Sequence, residues 1–271
     1  LNPVEAENLD EVINSPILRD RACVAIISDG SIESRTAAFF EPYSDDPSTL
    51  GMLYYTDDEL QRFVGKAHES GLQISIHAES ERSIEQVLSI YGRVLEKYPR
   101  KDHRHRIEHF EIPVWEQIKR TAKAGITLGM QPMFIPVAEG PNLETYRGYM
   151  GGERVKRSNP FRSILDEGVL VSGGSDSPVT KMSPLAGIQA CLTHPNREQR
   201  ISLYEAIKLF TINGAKIGFE EKLKGSIEEG KLADLVVLSQ DPHRAPHDEV
   251  GNIDIEMTIV GGKVVYKGKC G

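Results

Sequence analysis

The sequence predicts an α/β protein of barrel type, a row of parallel strands with helices outside them. Short apolar runs alternate with longer amphipathic ones from residue 22 to residue 171, and a crossover helix between successive strands forces those strands to run parallel. The runs near 105, 126 and 169 recur at intervals of roughly 20–45 residues, a common (β/α)-barrel spacing. Polar residues close three of these runs, where barrels of this kind place their chemistry.

Residues 1–20 are polar and punctuated by proline, with helical potential around Ala6–Ile13. Ala22–Ile27 is an apolar run that stops at Ser28-Asp29-Gly30, a buried strand and then a turn. The segment on to Tyr55 carries Pro42, Pro47 and Gly51 and reads as a long loop. Thr56-Asp57-Asp58-Glu59 starts a helix: Thr56 is the N-cap, Glu59 completes the capping box, and Leu60, Phe63 and Val64 form the apolar face. Gly71 stops it, and the strand Leu72–Ile76 follows with His77 at its end. Next come a helix over 81–98, a strand over 105–109, a helix over 114–124 and a strand over 126–130. A polar, glycine-rich loop is expected over 139–152, then a helix near 161–167 and the strand Val169–Val171. Gly173 and Gly174 let the backbone leave that strand tightly, and Pro178 forbids its continuation.

Two helices are expected at 185–193 and 202–217. After Gly225 the texture changes to short strands, Leu235–Leu238, Glu256–Val260 and Lys263–Tyr266, with the turn Gly261-Gly262 between the last two. This β appendage sets the expected division: residues 1–220 for the barrel part and 221–271 for the strands beyond it.

The 271 residues, 39% hydrophobic and 27% charged, suit a folded globular chain. A net charge of -8 argues against a nucleic-acid partner, which needs a basic surface. No apolar run approaches the roughly 18 residues that span a bilayer, so no membrane partner is expected. Cys23, Cys191 and Cys270 are too scattered for a disulfide framework. A cytoplasmic enzyme acting on a small molecule is the expectation.

His77 ends one strand, His109 a second, and Asp176 follows a third. In a parallel barrel those ends converge on one face, and two imidazoles with a carboxylate suit a divalent transition metal, zinc above all. A lone histidine at a strand end is more often a satisfied structural residue. Three polar residues in the same position on separate strands outweigh that reading.

These residues resemble the metal-dependent amidohydrolase superfamily, in its amidohydrolase-3 branch of YtcJ-like proteins. The likeness runs from Asp29-Gly30-Ser31 and Arg35-Thr36-Ala37 through Ile76-His77-Ala78 and Arg104-His105-Arg106-Ile107-Glu108-His109. It continues over Gln131-Pro132, Gly174-Ser175-Asp176-Ser177-Pro178 and Gly230-Lys231-Leu232-Ala233-Asp234-Leu235-Val236-Val237-Leu238. The resemblance implies a (β/α)8 TIM barrel, here strands four to eight, with part of a flanking β-sandwich after residue 220. It makes His77 and His109 the metal ligands of the fifth and sixth strands. Asp176 becomes the eighth-strand carboxylate that binds metal and takes the proton of the attacking water. The implied reaction is hydrolysis of an amide or similar C–N bond.

The family's H-x-H pair on the first barrel strand has no counterpart before His77, and strands one to three are missing. The chain is therefore expected to be the C-terminal half of a longer protein. The alternative is a degenerate, non-catalytic barrel. Many relatives also carry a fourth-strand lysine, whereas no lysine precedes Lys66 here and Ala25 holds that position, so one metal is expected instead of two. Cys23, on the same strand face, is either a thiolate substitute or, more commonly, a buried cysteine acting as a small hydrophobe.

Arg35, Glu79, Arg82 and Gln131 are candidates to touch substrate, with surface solvation as the plain alternative. Met130, Met133 and Phe134 read as core before pocket lining. His103 and His105 read as flanking polar residues, and the segment His243–His247 has no assigned role. Gly225–Lys231 mimics a phosphate-binding loop, but Leu232 stands where Ser or Thr is needed. Unpaired strand edges predict a homo-oligomer, or disordered loops around 40–55 and 135–155.

Overall fold

Apolar runs one strand long, each followed by a helix, build the first of two units, residues 1–130 with 143–169. The computed structural model describes residues 23–268 together with Glu11, so the helical potential around Ala6–Ile13 and Cys270 lie outside the described residues. Strands β1 (Cys23–Ile27), β2 (Gln73–Ser80), β3 (Arg106–Ile112) and β4 (Thr127–Met130) pair in that order, all parallel. The register sets Ile26 against Ile76, Ile76 against Ile107 and Ile107 against Leu128, one buried apolar face. The other face is polar: Ser75 Oγ donates to Glu108 Oε1 at 2.6 Å, and Arg106 pairs with the same carboxylate. Glu108 lies so close to its register partner Gly129 that a Cβ there would stand 2.0 Å from Glu108 Oε2. Only glycine fits.

The crossovers are α1 (Asp57–Glu69), α2 (Glu81–Lys97) and α3 (Trp115–Lys123). The expected capping box opens α1: Thr56 Oγ1 accepts from Glu59 N, and Glu59 Oε2 accepts from Thr56 N at 2.9 Å. In α2 the buried Ile84, Val87, Leu88, Tyr91 and Val94 recur at helical spacing.

The loop expected over 139–152 is in part a helix. The second unit holds α4 (Phe134–Val137), and the first holds α5 (Glu144–Val155), which buries Tyr146, Met150 and Val155. Polar, glycine-rich composition hid α5, and the backbone does kink at Gly151, whose φ is 79°. Ser44 N donates to Tyr149 O at 2.8 Å, and Arg154 donates to the carbonyls of Glu41 and Pro42. Those bonds, with a bridge between Asp29 and Leu53, give the loop over 40–55 a defined course. The short α6 (Phe161–Asp166) completes this unit.

The second unit comprises residues 131–142 and 170–271. Its strand β5 (Val171–Gly173) begins later than expected, because Val169 N still bonds Ile164 O at the end of the preceding helix. Then come α7 (Pro184–Thr193), α8 (Leu203–Leu209) and α9 (Ile212–Ile217). The single helix expected over 202–217 breaks at Thr211, whose φ is -131° and ψ -104°. Strands β6 (Leu235–Leu238), β7 (Ile255–Val260) and β8 (Lys263–Lys267) form an antiparallel sheet. Gly261 and Gly262 turn β7 into β8 with φ of 57° and 78°, the pair of positive values a two-residue hairpin of type I′ needs. Among the described residues no helix is long and apolar enough to cross a membrane.

Candidate metal centre

A regular ladder would keep His77 and His109 apart. Ala78 is the register partner of His109, and His77 is the partner of Glu108. Side chains alternate along a strand, so His109 would share the Ile107 face while His77 took the polar face. Backbone geometry at His109 reverses this. His109 and Phe110 both adopt left-handed φ, 73° and 53°, which costs roughly 1–2 kcal/mol for each residue bearing a Cβ. Between Ala78 and Ser80 the ladder slips, β3 spending one residue more than β2. The kink brings the two imidazoles together, their ring centroids 4.4 Å apart at 68°. Strain of this kind, at a ligand-type residue, points to a functional position.

Glu79 joins them. One ligand atom from each of His77, Glu79 and His109 lies within 4.8 Å of the others. Glu79 stands two residues after His77, a spacing that puts both on one strand face, and this period was the signal available in the sequence. His77 Nε2 donates to Gly30 O at 3.1 Å, and a carbonyl only accepts, so Nδ1 carries the lone pair. Asp29 Oδ1 lies 3.4 Å from the same Nε2. Asp29 is fully buried and accepts from Ala38 N at 2.9 Å and Glu79 N at 3.2 Å, so it locks the β1 turn to the end of β2.

The surroundings are rich in acid. Glu79 is 3% exposed and accepts from Ile32 N at 2.9 Å. Burial, then the neighbouring Glu111, Asp29 and Glu33, hold its carboxyl well above the ordinary range. Glu111 Oε1 lies 3.8 Å from His109 Nδ1. The Tyr146 hydroxyl lies 2.9 Å from Glu33 Oε1 and 3.0 Å from Glu111 Oε2. A phenol has one proton, so it bonds both only when one of those carboxyls is itself protonated. A cation would relieve this excess of negative charge. Two imidazoles and a carboxylate fit a zinc-type ion that keeps one position open.

Asp176 belongs to the second unit, on the loop that leaves β5, and is exposed with a left-handed φ of 51°. Cys23 pairs with Gln73, four residues before His77 and therefore roughly 13 Å from it along β2. Burial pushes its thiol up, and it behaves as a small hydrophobe. Arg35 pairs with Asp45 at 2.5 Å and lies over the Tyr149 ring, and Arg82 donates to Gly51 O. Gln131 is buried in the second unit.

His103 and His105 are more than flanking polar residues. With His68 they form a buried cluster at the amino end of β3. His105 Nδ1 accepts from Ile74 N at 3.1 Å, so its proton sits on Nε2 and is donated to His68 Nδ1 at 2.8 Å. His68 Nε2 then donates to Tyr98 O at 2.7 Å. His103 Nδ1 accepts from His105 N at 2.9 Å, and its Nε2 donates to Ala124 O at 3.0 Å. Every ring nitrogen of this H-x-H is committed to the protein, and burial depresses all three basicities, that of His105 to about 2.

A profile of the amidohydrolase family matches residues 11–266. The chain is 34% identical to the YtcJ protein of Bacillus subtilis (strain 168), over 89% of this chain and 46% of that one. It is 29% identical to the N-substituted formamide deformylase of Arthrobacter pascens, over 80% of this chain and 41% of the enzyme. The crystal structure of an uncharacterized metal-dependent hydrolase from Pyrococcus horikoshii OT3 superposes with a TM-score of 0.72 at 27% identity, covering 83% of this chain and 45% of that one. The chain thus spans about half the length of the relatives it matches. With parallel strands, crossover helices and a paired-histidine centre in accord with that match, the chain belongs to the amidohydrolase family.

Proposed function

We propose that this chain carries the metal-binding heart of a hydrolase that cleaves an amide or similar C–N bond in a small molecule. One observation carries the reading: a strained left-handed turn at His109 is maintained where it sets that imidazole beside His77 and Glu79. His77 through Nδ1 and His109 would hold the ion with Glu79 beside them, and the family resemblance assigns Asp176 as a further ligand. Bound there, a divalent metal, zinc by preference, supplies Lewis-acid polarisation of the scissile carbonyl and lowers the pKa of water. Asp176 is assigned to take the proton of the attacking water and pass it to the leaving nitrogen. Gly30 O and Asp29 fix the tautomer of His77 throughout.

The reading extends to architecture. Residues 1–220 are assigned to strands four to eight of a (β/α)8 barrel and residues 221–271 to strands of a flanking β-sandwich, supported by the parallel order β1–β4 and the antiparallel β6–β8. Self-association is part of the proposal, supported by Val236, Val260, Val264 and Val265 exposed on β6–β8. Cytoplasmic residence is supported by the free thiols of Cys23 and Cys191.

The test is metal-dependent hydrolysis of a panel of N-formyl and N-acyl amines by the chelator-treated, zinc-restored protein. Activity that returns with zinc and is lost in His77→Ala and His109→Ala is expected. Turnover indifferent to chelation, or retained in both variants, would overturn the proposal.

A further inference from the structure

The amino end of β3 adjoins a second feature, a groove of about 790 Å³ between the last turns of α2 and α3. For a chain of net charge -8 its lining is conspicuously basic: Arg93, Arg100, Lys101, Arg120 and Lys123 against Glu96. Two of these cations are already paired, Arg93 with Asp57 at 3.2 Å and Arg120 with Glu85 at 2.7 Å. Arg100, Lys101 and Lys123 make no ion pair among the described residues. Arg100 is the informative one. Its guanidinium donates to two neutral carbonyls, Leu72 O at 2.7 Å and His68 O at 3.4 Å. Its Nε is buried with no hydrogen-bond partner.

Half-burying a guanidinium with no counter-charge is unfavourable, and the neighbouring imidazoles, held neutral by their fixed hydrogen bonds, offer it none. An anion in the groove would complete the arrangement. The volume lies in the range of small-ligand sites, and the acidic remainder of the surface disfavours a nucleic acid. His105 lies four positions before His109, roughly 13 Å of extended chain, so the groove is remote from the candidate metal centre. We propose that it is a binding site for a small polyanion, a metabolite bearing two or more phosphate or carboxylate groups, held by Arg100, Lys101 and Lys123.

Isothermal titration of the chelator-treated protein with inorganic pyrophosphate tests this, since metal removal prevents the probe from binding at a metal. One saturable site is expected, weakened roughly tenfold or more by raised salt and by Lys101→Glu combined with Lys123→Glu. Both lysines are exposed and outside any hydrogen-bonded framework, so this variant folds even where Arg100→Gln does not. Citrate binding as tightly as pyrophosphate would mark a carboxylate ligand, and pyrophosphate binding more tightly a phosphate ligand; either supports the site. His77→Ala must bind pyrophosphate unchanged. Absence of saturable binding of either probe, affinity indifferent to the double lysine variant, or loss in His77→Ala would overturn the proposal.

Discussion

Two sets of histidines gather near β3, one just before its first residue and one where His109 meets the end of β2, and they are built to opposite purposes. At its amino end His68, His103 and His105 hand each Nε2 proton to a fixed acceptor and receive a donor at each Nδ1. Cations are their neighbours, as Arg100 beside His105 shows. At the other end His77 and His109 converge through a strained turn, and carboxyls surround them. The residue type is the same. What separates a structural histidine from a candidate ligand here is the charge that surrounds it and the strained backbone that brings two rings together.

Substitutions should divide along that line. The largest effects are a crossed pair. His77→Ala is expected to weaken zinc binding on the order of 100-fold or more, with little loss of metal-free stability. His105→Ala is expected to leave zinc stoichiometry intact while lowering unfolding free energy by about 3 kcal/mol, through a cavity and unsatisfied partners. Parallel zinc titration and denaturant unfolding measure both, and a swap of the two outcomes would reverse the assignments.

Glu79→Gln sharpens the contrast from the acid side. Burial and the neighbouring acids push its carboxyl well above the ordinary range, so removing its charge should cost metal-free unfolding little while zinc affinity falls about 10- to 100-fold. Equal damage to both would make Glu79 a framework residue.

Acid should disturb the amino end. The unfolded chain protonates His105 near 6.5, and the native ring only near about 2. Between those values the unfolded state holds more protons. The stability contributed by the neutral ring is therefore complete above about 6.5 and declines as pH falls, by about 1.4 kcal/mol per pH unit. Unfolding between pH 7 and pH 5 should show a slope that His105→Asn flattens, and an unchanged slope would refute the cluster's role. The smallest effect is a control remote from both sets. Thr56→Ala removes the α1 cap and should cost about 1 kcal/mol, with no change in acid slope or zinc affinity.

Much of this was legible in the chain. Period and capping located β1 to β4 and α1 to α3, because each of those elements declares itself within its own residues: Thr56 and Glu59 for a start, Ile84 to Val94 for a buried face. His77 and His109 were legible from their places at strand ends. The route by which they meet was not, since a left-handed φ at His109 and Phe110 leaves no mark when neither residue is glycine. Glu79 was readable by its two-residue offset but competes with the many exposed glutamates of the chain. Helix α5 was concealed by Gly148, Gly151 and Gly152, and its reason to form is tertiary, the burial of Tyr146 and Met150. His105 reads as a flanking polar residue because its partners, His68 and Ile74, lie more than thirty positions away, and His103 because its ring reaches Ala124 O twenty-one positions on.

On the proposed function, the kink at His109 creates a cation site with His77. A zinc-edge anomalous difference map from crystals grown with zinc tests it most directly. A peak within about 2.0–2.1 Å of one nitrogen from each of His77 and His109 is expected. A peak seated instead at His68, His103 or His105, or two imidazoles left apart with no ion between them, would contradict it.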